Sequence, residues 1–269
     1  MKKYNMLLVS CFYIIKSKFS VRQYIEWIQN FFRVTSSNPN ITVVVFTDSS
    51  SIKILYDQLG DYKVAIIPIE MNEFYMYKYK NFFINNQTRN ELLASVDWRL
   101  IMLWCEKISF VKRASGLYPP EDNWVCWCDI GYFRNREKDL PLESLQGWGN
   151  IPEWFSYEYI YYGLVSRNQI DNLKRLCEKG EFQVPVNQIS IAGGFFICGI
   201  NKLYIWSNIF EDKLNKYIKK KYIVKDDQII IADCIFSPET NQYFRILVDS
   251  PLTENKYDPW FPFQRILAK

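Results

Sequence analysis

Four short stretches place acids or paired glycines where apolar runs end: Thr47-Asp48, Asp129-Ile130-Gly131, Gly193-Gly194 and Asp226-Asp227-Gln228. A carboxylate at the end of a buried strand has three chemical uses. It ligates a hard cation, accepts from a ligand's hydroxyls, or takes a proton during a reaction. Each stretch also has a plain structural reading. Asp and Gly are ordinary turn residues after a strand, and "TDSSS" at 47–51 is also a helix N-cap cluster. Two adjacent aspartates suit a helix N-terminus. A glycine pair inside a strand marks a bulge, or a close approach to a ligand or another segment.

The open chemistries are limited by what the chain lacks. Its 269 residues contain no histidine, which removes the Ser-His-Asp triad, the Cys-His pair, the imidazole base and His-ligated zinc. Acid–base work falls to Asp, Glu, Lys, Tyr or Cys. No Gly-x-Gly-x-x-Gly or P-loop string occurs, so dinucleotide and P-loop phosphate binding have no sequence basis. A formal net charge of +4 is too mild for a nucleic-acid binder. The basic cluster "YIKKKYIVKDD" at 217–227 ends in two aspartates and reads as a solvated helix end. The seven cysteines, at 11, 105, 126, 128, 177, 198 and 234, lie mostly in apolar runs without a Cys-x-x-Cys pair. They read as reduced core residues of a cytoplasmic protein.

The elements that must position these residues follow from hydrophobic periodicity. "MKKYNMLLVSCFYII" has a basic start, but its apolar stretch before Cys11 is only Met6 to Val9. A signal h-region takes about 7–15 apolar residues, so a first core strand within 5–15 is expected instead. "SVRQYIEWIQNFF" at 20–32 is a helix behind a Ser20 cap, and "ITVVVFTD" at 41–48 a continuously apolar strand. A helix at 49–60 stopped by Gly60 and a strand at 62–69 follow. This β-α-β-α-β order implies a doubly wound α/β sheet flanked by helices, which binds ligands outside the carboxyl ends of its strands.

Further along, Thr88 and Glu91 form a capping-box pattern that opens one long helix, or two end to end, reaching Gly116. "NWVCWCDIGYFRN" at 123–135 is a buried strand ending on Asp129. Residues 139–188 read as irregular with one helix near 167–179. "QISIAGGFFICGI" at 188–200 is strand, glycine pair, strand, and an amphipathic helix follows it. "DDQIIIADCIF" at 226–236 is a helix or a strand, and "YFRILVD" at 243–249 a last strand. No linker or repeat is present, and 49% hydrophobic content supports one domain over 1–269. No apolar run approaches the roughly 20 residues of a transmembrane helix, so the chain reads as soluble.

"VVVFTD", "SVDWRLIMLWCEKISF", "WCDIGYFR", "IAGGFFICG" and "KDDQ", in that order, resemble the GT-A-fold glycosyltransferases, most closely the bacterial HtrL/YibB-like family. The resemblance implies a GT-A-like, Rossmann-like mixed sheet. It also implies transfer of a sugar, hexosyltransferase-like, from a nucleotide-sugar donor such as a UDP-sugar to a hydroxyl of a glycan or protein acceptor. In that family Asp129 begins the metal-binding Asp-x-Asp motif, and here Gly131 replaces the second acid. The implied cofactor is Mn²⁺ or Mg²⁺ on Asp129, with Asp249 as the compensating ligand. By the same resemblance Asp48, Ser10 and Tyr13 face the nucleoside. Lys107, read from its helical position as snorkelling from the edge of an apolar stripe, faces the donor phosphates. Gly193 and Gly194 border the sugar, and Asp227, with Asp226, supplies the base. The incomplete motif and 17% aromatic content support a second expectation, a carbohydrate- or protein-binding module without turnover.

Overall fold

The computed structural model describes residues 4–120, 124–167, 170–179, 183–187, 190–248 and 256–268. The first strand, β1 (Met6–Phe12), is buried along its whole length and pairs in parallel with β2 (Ile41–Thr47) and β4 (Trp124–Cys128). An apolar run with no exposed face requires cover on both sides, and helices provide it. The helix after β1, α1 (Val21–Thr35), starts at Ser20, whose side chain accepts from the Gln23 N–H in a full capping box. It is followed by α2 (Ile52–Leu59), ended at Gly60 with φ of 50°, and β3 (Val64–Pro68).

The remaining elements are α3 (Lys80–Gln87), α4 (Trp98–Leu117), β5 (Ile160–Leu164), α5 (Ile170–Glu178) and β6 (Ile191–Gly199). They end with α6 (Ile200–Lys220), α7 (Asp227–Phe236), β7 (Phe244–Leu247) and α8 (Pro262–Ile266). The sheet order is β3-β2-β1-β4-β6-β5-β7, with β6 antiparallel to both its neighbours and β7 parallel to β5. The expected doubly wound, mixed α/β sheet flanked by helices is the fold. Successive residues along β1 alternate between two apolar layers. Leu7, Val9 and Cys11 face α4, α6 and α7, while Met6, Leu8 and Phe12 face α1 and α8. All seven cysteines are free and buried. No described helix is long and apolar enough to cross a membrane.

Three expectations are corrected. The Thr88–Glu91 pattern does not open a helix: Asn90 turns its amide to the carbonyls of Val224 and Lys225, and α4 begins ten residues later than Thr88, capped by Asp97 on the Arg99 N–H. Ahead of that turn stands α3. The supposedly irregular 139–188 segment contains β5, whose aromatic residues are buried on both faces. The glycine pair interrupts no strand, since β6 runs through it. Its pairing with β5 steps from Tyr162↔Phe196 to Gly163↔Ala192, so the pair lies in a bulge. The alternative at 226–236 resolves as helix.

Candidate active site

The chain leaves β1 toward β2 on one side of the sheet, and β4 lies on the other side of β1. Strand order reverses there, and loops leaving neighbouring parallel strands part to form a crevice. The crevice encloses about 590 Å³, part of it open to solvent, and is lined from β1's exit by Tyr13 and Ser17 and from β4's exit by Asp129, Gly131 and Arg134. Trp104 and Leu103 of α4 form another wall.

Asp129 satisfies both readings of its sequence. Its backbone N–H donates to Gly194 O at 2.8 Å, extending the ladder to β6, and its carbonyl accepts from the Tyr132 N–H at 2.9 Å to close a turn. Its side chain is 37% exposed. Oδ1 accepts from Trp127 Nε1 at 2.6 Å and lies 3.1 Å from Lys107 Nζ.

Lys107 is the main surprise. Along α4 the inward positions are Leu100, Leu103, Lys107, Val111 and Ala114, so the lysine stands within the apolar stripe and is 5% exposed. It does not snorkel to a rim. A buried ammonium costs several kcal/mol unless its charge and all three N–H groups find partners. It donates to Gly193 O at 2.8 Å, and its charge stands at ion-pair distance from Asp129 Oδ1, at 3.1 Å, and Asp227 Oδ2, at 3.0 Å. Burial works against its charge, but the two carboxylates outweigh burial and raise its pKa.

Asp227, the first residue of α7, is 3% exposed. Its contact with Lys107 is an ion pair without hydrogen-bond alignment, leaving Oδ2 without a hydrogen bond. Burial raises its pKa to about 7; Lys107 pulls it down, and Asp226 and Asp129 push it up. Asp226 occupies the N-cap, and burial raises its pKa too.

The glycine pair is explained by this packing. A Cβ on Gly193 would stand 2.8 Å from Gln228 Cγ, and one on Gly194 3.3 Å from Asp129 Oδ2. The close approach is therefore made by the chain's own α7 and Asp129.

Lys107, Asp129, Gly193, Gly194 and Asp227 thus form one cluster, although they come from α4, the residue after β4, β6 and α7. Tyr13 lines the crevice and donates its hydroxyl to Ile69 O at 3.0 Å. Asp48 Oδ1 accepts from the Ser51 N–H and Ser50 Oγ in the turn before α2, whose N-cap, Ser51, makes no side-chain cap bond. Ser10 is fully buried within β1, one residue out of phase with Val9 and Cys11, so it points to the layer opposite α4.

The described carboxylates do not fit a divalent cation. Asp129 Oδ1 is already engaged twice, and Lys107 holds a positive charge beside it. At the place of the second acid, a Cβ on Gly131 would lie 2.8 Å from Trp27 Cε3. Among the described residues no three acidic or thiol groups converge as ligands. Asp249 lies outside the described residues.

Sequence reasoning gave no role to Arg134. Its guanidinium stands 4.6 Å from the Trp27 ring centre, 4.9 Å from Phe19 and 5.3 Å from Phe261, with Nε donating to Gly131 O at 2.8 Å. The available signal was a cation three residues beyond Gly131, on the loop leaving the strand that carries Asp129.

No protein-family model matches the chain, and no curated protein matches it. Among solved structures it is similar to the apo form of mouse xyloside xylosyltransferase 1, at 10% identity and a TM-score of 0.46, over 99% of this chain and 93% of that one. A likeness at that score establishes neither fold nor activity for this chain.

Proposed function

We propose that the protein is a glycosyltransferase that moves a sugar from a nucleotide-sugar donor to a hydroxyl of a glycan or protein acceptor. The observation that carries this reading is the placement of Asp129, backed by Lys107 and Asp227, on a crevice at the strand-order reversal. In the reaction the acceptor oxygen bonds to the anomeric carbon while the bond from that carbon to the diphosphate oxygen breaks. The diphosphate leaves with the bonding electron pair, and the acceptor's proton passes to a carboxylate. Asp129 is the acid lining the crevice, and among the described residues no hydrogen bond reaches its Oδ2, so it takes the proton here. Asp227 is buried behind Lys107 and acts as a positioning residue. This role replaces the base expected of it from the sequence.

A thermal-shift screen of UDP, GDP and CMP with their sugar conjugates, with and without Mn²⁺, tests the reading. Stabilisation by one nucleotide and its sugar conjugate supports it, and stabilisation by none sinks it. The aromatic lining of Tyr13, Tyr24, Trp104 and Trp127 favours a second reading, a glycan-binding module on the same fold, because aromatic faces stack on sugar rings. Such a module binds glycan without nucleotide and releases no nucleotide on long incubation.

A further inference from the structure

Arg134 is a partly desolvated cation with no ion pair among the described residues. Its neighbour Arg136 pairs with Asp139 and with Asp258 at 2.6 Å. Among the described residues no carboxylate stands at ion-pair distance from Arg134, whose one hydrogen bond is from Nε to a carbonyl. Three aromatic rings surround the guanidinium and stabilise its charge without neutralising it. Burial and Arg136 both work against that charge. A guanidinium has five N–H donors in a planar fork, so most of its capacity is unspent. It lines the same crevice as Asp129.

The neighbouring geometry explains why a cation stands here and an acid does not. Trp27 packs against Gly131 so closely that no side chain fits, and the same indole lies under Arg134. Gly131 in turn gives its carbonyl to Arg134 Nε. The corner where a second carboxylate would help to hold a metal is thus occupied by an aromatic platform carrying a fixed positive charge. Such a charge meets a diphosphate directly, by bidentate hydrogen bonds to its oxygens, and stabilises the negative charge that grows as it leaves.

We infer that Arg134 binds the diphosphate of this crevice's ligand without a divalent cation. The inference rests on the glycosyltransferase reading for the identity of that ligand, but its test does not. The probes are inorganic pyrophosphate, UDP and uridine, followed by calorimetry and thermal shift in EDTA and in Mn²⁺. Pyrophosphate is expected to bind in EDTA as well as in Mn²⁺. Arg134→Gln should weaken binding about ten- to a hundredfold, and Arg134→Lys, which keeps the charge without the fork, should lie between the two. Apo melting temperatures establish that both variants fold, and if Arg134→Gln does not, the Lys variant and the EDTA comparison on the wild-type protein decide. Binding that requires Mn²⁺, or that is the same in wild type and both variants, overturns the inference. Pyrophosphate binding through Arg134 with no response to any sugar nucleotide leaves the inference standing and removes the glycosyltransferase reading. Sugar-nucleotide turnover that needs Mn²⁺ and ignores Arg134 does the reverse.

Discussion

Lys107 Nζ lies 3.1 Å from Asp129 Oδ1, so a lysine from the buried stripe of a helix sets the orientation of the one acid among the crevice's described lining residues. Lys107→Met keeps an unbranched side chain, one atom shorter, and removes its charge. It leaves Asp227 without a counter-ion, and breaking such a buried pair costs about 3–5 kcal/mol. Urea melts at pH 5 and pH 8 check this, and the cost should be smaller at pH 5, where Asp227 holds a proton.

Asp129→Asn preserves the shape and keeps an oxygen toward Lys107, so the melting temperature should change little. Sugar-nucleotide turnover should fall by about a hundred- to ten-thousandfold, the span of a lost acid–base group. Initial rates of nucleotide release measure it, and undiminished release would place the base elsewhere.

Stability should fall as pH rises from 5 to 8. Burial raises both Asp227 and Glu106 to about 7, although the N–H groups of Met76 and Tyr75 pull Glu106 down. A carboxylate with a raised folded pKa contributes its stability fully below its unfolded value of about 4 and loses it as pH rises through the folded one. The lowered carboxylates Asp97, Glu211 and Glu239 titrate below this window and do not mask it. Denaturant melts across the range should show the slope reduced in Asp227→Asn and again in Glu106→Gln. A slope untouched by either change would mean both groups stay ionised.

Gly131→Ala should be more damaging than Gly194→Ala. The first sets a methyl 2.8 Å from a packed indole, the second 3.3 Å from a carboxylate oxygen. An overpacking cost of about 1–3 kcal/mol is expected at Gly131, read from the urea midpoint. Equal midpoints would show that Trp27 yields.

The first half of the sheet was legible because its signals are local. β1, β2 and β3 are apolar runs separated by amphipathic helices, one of them with a complete capping box. The acids were legible for the same reason, since each follows a recognisable strand or opens a recognisable helix. Lys107 was misjudged because its partners come from β6 and α7, far along the chain, and a single sequence does not show which charges meet. Thr88 and Glu91 matched a cap by type, but Asn90 is bonded to the segment before α7, which no local pattern reveals. β5 went unseen because its tyrosines are buried on both faces and show no alternation. Arg134 was passed over because what singles it out, a guanidinium set among three rings with no carboxylate partner among the described residues, exists only in three dimensions.

The seven buried thiols make the protein its own clock. Burial raises every one of their pKa values, Cys177 to about 12, so little thiolate is exposed to an alkylating reagent while the fold is closed. Cys126 and Cys128 lie on the strand beneath the crevice, and Cys177 and Cys234 on helices further out. The order in which these sites alkylate over time maps which layers of the molecule open first.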